Sequence, residues 1–256
     1  MSTHGPHAGC LEDMWQVAIE TAKRCGGDRG SLGLMGPDSL PAAIRPNRLI
    51  VLETEGWPDV DAATKAGFAQ LLGQLEAAGV TLIRRADHAF VEVLEKAIAN
   101  GRAVCGSITG WENRWYQRGM LDAAPDGLSA RAKAALLKAE AMTPDDYRAG
   151  LLARQQAQLA HAAVAQLADA AITLSCPGPA PIWSGDVPGQ PLASRPTGDF
   201  VFNAPSSMLF APVVTVPLMS VGGMPVGVQL MGQQHEDART TGLARWFAEN
   251  LKRVAA

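Results

Sequence analysis

The sequence feature that most constrains the fold is a pair of apolar segments joined by two glycines near the C-terminus. Residues 213–221 read VVTVPLMSV and residues 224–232 read MPVGVQLMG. Segments rich in valine favour β-strands, and Gly222-Gly223 allows the positive φ angles that a tight hairpin turn requires. The pattern predicts an antiparallel hairpin, and a hairpin alone is too small to be stable, so other segments must complete its sheet.

A strand–helix–strand pattern in the first third supplies part of that sheet. Residues 48–53 (RLIVLE) and 80–84 (VTLIR) read as short buried strands, and apolar residues recur at helical spacing over 61–78. Such a βαβ unit has two parallel strands and a right-handed crossover. A further strand is predicted at 170–175 (AAITLS). Together with the hairpin, these segments predict an α/β fold with a mixed sheet flanked by helices.

The remaining segments read mostly as helices. Thr143-Pro144-Asp145-Asp146 is a helix start signal, with a capping threonine, a proline in the first turn and a carboxylate at the capping-box position. The predicted helices cover 11–25, 88–118 with an interruption at Gly106–Gly110, 128–142 after a break at 120–127, 143 to about 169, and 236–253.

The sequence predicts one domain over 1–256, which we expect to be incomplete. Its parts are a helix and loop at 1–47, a βαβ and helical region at 48–169, and a region at 170–256. The last part holds the hairpin, a Pro- and Gly-rich loop and the C-terminal helix. No internal repeat divides the chain further.

Composition excludes several functional classes. Hydrophobic residues make up 47% and charged residues 18% of the 256, and the formal net charge is −3. The sequence has no basic patch typical of nucleic-acid binding and no apolar stretch long enough to span a bilayer. The four cysteines are widely spaced and the first residues do not resemble a signal peptide, so we expect a cytoplasmic protein with reduced thiols.

Two parts of the chain resemble amidase-signature hydrolases. Residues 170–183 and 195–232 follow the order of that family's C-terminal part: a strand with a Pro-rich loop, a polar TGD–FN segment and a hairpin ending in PVGVQLMG. Residues 3–14 (THGPHAGCLEDM) are similar to the family segment T-x-G-P-x-A-R-S-V-x-D, with Gly9 in place of the usual Arg and Cys10 in place of Ser. The resemblance implies the family's α/β fold.

The resemblance also implies a chemistry for which this sequence lacks the key loop. The family cleaves amides with a Ser–Ser–Lys core carried by a Gly-Gly-Ser-Ser-Gly-Gly loop that precedes the segment beginning at Thr3, and the 256 residues contain no such loop. The adjacent serines here are Ser206-Ser207, without flanking glycines. We interpret them as a helix start after Pro205, with a hydroxyl capping the backbone. No catalytic residue is assigned.

The loop over 176–207 is the candidate substrate-binding region, because long irregular loops in compact domains are often functional. The resemblance implies that Thr197, Gly198, Asp199 and Asn203 lie close to the family's catalytic serines. Trp183 is a candidate wall of the acyl pocket. The alternative for Asp199 and Asn203 is a turn in which their side chains bind backbone groups.

A metal site is also considered, on His4, His7 and Cys10, whose spacing of three suits metal ligands. A second pair of ligands is missing from the sequence pattern, so neither a metal nor a cofactor is predicted.

Three hypotheses for function remain open at this point. The first is the C-terminal portion of an amidase, expected to be inactive alone and acting on a small-molecule amide once an N-terminal half is supplied in cis or in trans. The second is a non-catalytic binding or interaction domain, and the third is a gene fragment without independent function. The sequence leaves open the identity of the amide and whether the chain forms a homo-oligomer.

Overall fold

A computed structural model describes residues 5–27, 33–182 and 199–256, which form one mixed sheet of six strands with helices on both faces. The helices are α1 (Leu11–Cys25), α2 (Ala62–Ala77), α3 (Ala89–Ile98), α4 (Gly101–Ala123), α5 (Ala130–Glu140), α6 (Pro144–Ala163), α7 (Ala204–Leu209) and α8 (Asp237–Asn250). The strands are β1 (Arg48–Val51), β2 (Thr81–Ile83), β3 (Ala170–Leu174), β4 (Val213–Val221), β5 (Met224–Met231) and β6 (Val254–Ala255). The predicted fold class is confirmed.

The strand order is β2-β1-β3-β5-β4-β6. Strand β1 runs parallel to β2 and to β3, with Leu49 opposite Leu82 in one pair and Ile50 opposite Ala171 in the other. Strand β5 is antiparallel to β3 and β4, and β6 adds a short parallel pairing to β4. The predicted βαβ unit and hairpin are therefore both present.

Alternation along β1 divides the apolar core into two layers. Leu49 and Val51 face a cluster built with α2 and α8, whereas Ile50 and Leu52 face a second cluster built with α3, α6 and α7. All four side chains are buried. A strand that is apolar on both faces is typical of parallel strands covered by helices on each side.

Several local signals predicted from the sequence are present in the structure at the ends of the elements. Gly222 and Gly223 take φ angles of 56° and 80° in the hairpin turn. Thr143 caps α6 and forms the full capping box with Asp146. Trp15 anchors α1, because its indole N–H donates to the carbonyl of Pro37 at 2.9 Å and its ring is buried.

Some predicted boundaries are wrong. The interruption expected at Gly106–Gly110 does not occur, since α4 runs through both glycines, and the break lies at Asn100 instead. A Cβ atom added at Gly110 would lie 3.4 Å from the Cβ of Ala139, so this glycine permits close packing of α4 against α5. Helix α6 ends at Ala163 rather than near Asp169, because the Asp169 N–H donates to the carbonyl of Arg48 at the start of the β1–β3 pairing.

Within the described residues, none of the helices combines the length and the apolar character needed to cross a bilayer.

Candidate functional site

The carboxyl ends of β1 and β3 form a topological switch point of the sheet. From β1 the chain passes through α2 to β2 on one side, and it returns through α3 to α6 to form β3 on the other side. Helix α2 packs on one face of the sheet and α3 and α6 pack on the other. In open α/β sheets, ligands bind where the strand order reverses in this way, outside the carboxyl ends of the strands.

The loop after β1 lies at this switch point in a strained conformation. Thr54 has a φ of 62° and is 8% exposed, and a positive φ is a genuine outlier for a β-branched residue. The carboxylate of Glu95, on α3, accepts the N–H of Glu53 at 2.7 Å and the N–H of Thr54 at 3.1 Å. Burial raises the pKa of Glu95, although these two bonds favour its charged form.

Asp199 and Asn203 lie in the polar segment 199–203, directly before α7. Asp199 Oδ2 accepts a charged hydrogen bond from Arg102 Nη1 at 2.8 Å, and Asp199 Oδ1 accepts the N–H of Val201 at 3.0 Å. The Asn203 side chain is exposed and does not cap α7. The Asp199 carboxylate thus binds backbone within its own turn and also fixes the segment to α4.

The segment 199–203 packs directly on the loop after β1. A Cβ atom added at Gly56 would lie 2.6 Å from Val201 Cγ1 and 2.8 Å from Phe202 Cε2. A side chain at position 56 would therefore displace the segment. The β1 loop and the segment form one packed unit at the carboxyl ends of the strands.

Gln229, on β5, connects this unit to the end of β3. Its side chain is fully buried in β5, and Nε2 donates to the carbonyls of Leu174 at 2.9 Å and Phe202 at 2.6 Å. Its Oε1, like the Oγ1 of Thr173 on the neighbouring strand, is a buried atom without a hydrogen-bond partner among the described residues. In folded proteins, buried polar atoms of this kind are usually met by ordered water or another polar group.

The other candidate site residues, Trp183, Thr197 and Gly198, lie outside the described residues. For Ser206 and Ser207 the predicted helix start is confirmed, since both lie in α7 with Pro205 in its first turn. The predicted capping is wrong in detail, because Ser206 Oγ donates to the carbonyl of Asn203 at 2.8 Å instead of accepting a backbone N–H.

Two cavities are lined by residues outside segment 199–203. A polar cavity of about 230 Å³ lies at the opposite, amino ends of β1 and β3, among Arg48, Asp169 and Arg239. A second cleft of about 170 Å³ lies between α2 and the β1–β2 edge, with Trp57 and Phe68 in its wall.

The described residues give the metal hypothesis no support. His4 lies outside the described residues, and Cys10 Sγ accepts the N–H of Asp13 at 3.5 Å as the cap of α1. Across 5–27, 33–182 and 199–256, no three His, Cys, Asp or Glu side chains are grouped as a metal site would require.

Three residues of this region were not predicted from the sequence: Glu95, Arg102 and Gln229. Arg102 lies 97 residues before Asp199, and Glu95 lies 41 residues after Thr54. Neither pair follows a local spacing rule. Gln229 interrupts an apolar strand, and a lone polar side chain in such a strand is the one signal that pointed to a buried hydrogen-bonding role.

Comparisons with known proteins agree with this fold. A family model described as Amidase matches residues 1–241. A crystal structure of an amidase aligns with 84% of this chain and 48% of its own, at 23% identity and a TM-score of 0.67. Comparison with curated protein sequences finds no match.

Two further solved structures align over nearly the whole chain. One, described as part of a vestigial protein complex that reveals the origins of an s-triazine catabolic enzyme, aligns with 98% of this chain and 54% of its own, at 19% identity and a TM-score of 0.72. The other, a subunit of the glutamyl-tRNA(Gln) amidotransferase of Thermotoga maritima, aligns with 96% and 52%, at 17% identity and a TM-score of 0.55. The chain thus spans about half the length of the solved structures it resembles.

Proposed function

Because this chain belongs to the amidase family, whose model matches residues 1–241, we propose that it forms the C-terminal portion of a hydrolase of carboxylic amide C–N bonds. The observation that carries the proposal is the position of segment 199–203 at the carboxyl ends of β1 and β3, where the strand order reverses. Switch points of this kind are the usual ligand sites of α/β sheets.

In this proposal the segment forms one wall of the substrate pocket. Asn203 presents an exposed carboxamide that can donate to or accept from a substrate amide. Asp199 is held by Arg102, so its carboxylate orients the segment. Trp183, Thr197 and Gly198 complete the proposed pocket wall on the same loop.

Amide hydrolysis also requires a nucleophile, a group that accepts its proton and donors for the oxyanion. We assign none of these to the described residues. The Gly-Gly-Ser-Ser-Gly-Gly loop is absent from the 256 residues, so in the proposed enzyme it belongs to another stretch of polypeptide, in cis or in trans. Two structural neighbours are described as a complex and as a subunit, and in each this chain aligns with about half of one polypeptide.

Two assays test this proposal. The chain alone, incubated with aliphatic and aromatic amides, should release ammonia no faster than buffer. Co-expression with a polypeptide carrying the serine loop and lysine of an amidase-family enzyme should restore turnover. Turnover by the chain alone that is lost in Ser206→Ala or Ser207→Ala would contradict the assignment, and so would a stable complex of the two polypeptides that stays inactive.

The second candidate is a non-catalytic binding or interaction domain. It is favoured by the packing of helices on both faces of the sheet around two apolar clusters, which gives the chain a core of its own. A clean monomer with a cooperative melt that neither binds a complementing polypeptide nor gains activity from it would support this candidate over the first.

A further inference from the structure

The β1 loop contains a strained residue whose conformation needs an explanation. Thr54 is buried and holds a left-handed backbone conformation that costs a non-glycine residue on the order of 1–3 kcal/mol. Its Oγ1 accepts the N–H of Gly56 at 3.2 Å. A single hydrogen bond between two residues of the same loop does not account for a conformation that a β-branched residue avoids.

Glu95 supplies the missing constraint from a different element. It lies on α3, is 4% exposed, and its two carboxylate oxygens separately accept the N–H groups of Glu53 and Thr54. Two charge-assisted hydrogen bonds to consecutive amides fix the orientation of the Thr54 amide relative to helix α3. The φ angle of Thr54 is the rotation about the bond from this amide to its Cα atom, so Glu95 holds one side of the strained torsion.

Two contacts connect the constrained loop to Asp199. On one path, Gly56 packs against Val201, the residue whose N–H donates to Asp199. On the other path, Glu55 Oε1 accepts the N–H of Arg102 at 2.8 Å, and the guanidinium of Arg102 donates to Asp199. A change in the loop therefore reaches both oxygens of the Asp199 carboxylate.

We propose that Glu95 is a positioning residue of the candidate site, which holds Thr54 in the left-handed conformation and thereby sets the position of Asp199. It acts through the loop and makes no contact with Asp199 itself. The proposal rests on the proposed function, because Glu95 has this role only where Asp199 belongs to the site.

The test compares two Glu→Gln substitutions on α3 in the full chain. Glu95→Gln leaves one acceptor for two N–H groups and turns an amide NH₂ towards the other. The Val201 amide, which donates to Asp199, should then exchange with solvent about tenfold faster or more, because its segment opens locally. Glu92→Gln is the matched control, since Glu92 pairs with Arg85 and Lys96 on the surface and should leave Val201 unchanged.

A second substitution separates positioning from general stability. Asparagine tolerates the left-handed conformation and can still accept a hydrogen bond from the amide two residues on. Thr54→Asn in the Glu95→Gln background should therefore return the exchange rate of Val201 to within about threefold of wild type. If Glu95→Gln does not fold, the appearance of folded protein in the double variant counts as the same rescue.

Three results would overturn the proposal. They are unchanged Val201 exchange in Glu95→Gln, a double variant that is not rescued, and faster exchange that is equal at the Gly232 amide, which bonds the Pro212 carbonyl away from the site. None of these readings uses activity. A reconstituted enzyme without turnover would remove the proposed function and leave the exchange result on Glu95 in place.

Discussion

The two ends of the β1–β3 strand pair differ in how completely their polar groups are satisfied. At the amino end, the Asp169 carboxylate accepts the N–H groups of Asn47 and Arg48 and a hydrogen bond from Arg239 at 2.6 Å. At the carboxyl end, Thr54 is strained and Gln229 has an orphan acceptor. A closed network of this kind serves stability, whereas strain and unmet hydrogen bonds concentrate at functional sites.

The largest expected effect is a dependence of stability on pH at the amino end. His161, on α6, is buried there, and burial lowers its pKa to about 4. The unfolded pKa is higher, so His161 contributes stability above about pH 6.5 that is lost as the pH falls towards 4. The loss should approach about 3 kcal/mol. Denaturant unfolding from pH 7 to 4 should show it in wild type and in the exposed control His7→Gln, and should show much less in His161→Leu.

Glu95 should show the opposite trend at the carboxyl end. Its folded pKa is raised, so its contribution to stability is complete below its usual pKa near 4.5 and is lost as the pH rises through the higher folded value. Glu95→Gln should remove this dependence in the same titration. If wild type and Glu95→Gln follow the same pH curve, the contrast between the two ends is weaker than proposed.

Breaking the closed network at Asp169 should lower the free energy of unfolding by somewhat less than the pH-dependent loss at His161. Asp169→Ala leaves two backbone N–H groups without their acceptor and removes the carboxylate partner of Arg239, which keeps its bond to the carbonyl of residue 169. We expect a loss of about 2 kcal/mol in the free energy of unfolding. Urea unfolding against the exposed control Asp38→Ala measures it. A loss no larger than that of the control would mean that the amino end is not the stability end.

An added methyl group tests the packing at the carboxyl end. Gly56→Ala places a Cβ against Val201 and Phe202, and overpacking of this kind costs about 1–3 kcal/mol. We expect a loss near the lower limit, because the segment 199–203 can shift. Gly9→Ala is the control, since Gly9 lies outside the helices and nothing lies within 4 Å of its added Cβ. Equal melting temperatures for the two variants would contradict the close packing.

The smallest effect on stability is expected at Asn203. Its side chain is exposed and does not cap α7, so Asn203→Ala should change the free energy of unfolding by about 0.5 kcal/mol or less. In the reconstituted enzyme the same change should lower turnover at least about tenfold, which is about 1.4 kcal/mol of barrier. Asn250→Ala, at the end of α8, is the control. A stability loss with unchanged turnover would remove Asn203 from the site.

Local signals in the sequence predict much of the fold and less of the site. The glycines of the hairpin and the capping box of Thr143 act within a few residues, and both are confirmed. Gly106 and Gly110 do not form the predicted break, because tertiary packing of α4 against α5 overrides their weak helix propensity. Arg102 and Glu95 reach the site only through the folded topology, so no spacing rule could identify them.

The parallel pairing of β1 with β3 also bears on how this chain reaches its fold. The Asp169 carboxylate meets the amide of Arg48 across a separation of 121 residues. Closing so long a loop before any of its contacts form is entropically unfavourable, and non-local pairings of this kind slow folding. Helices α3 to α6 lie between the two strands in sequence and contact one another in the fold. Their packing closes this long loop, and the carboxyl end of the strand pair depends on that closure.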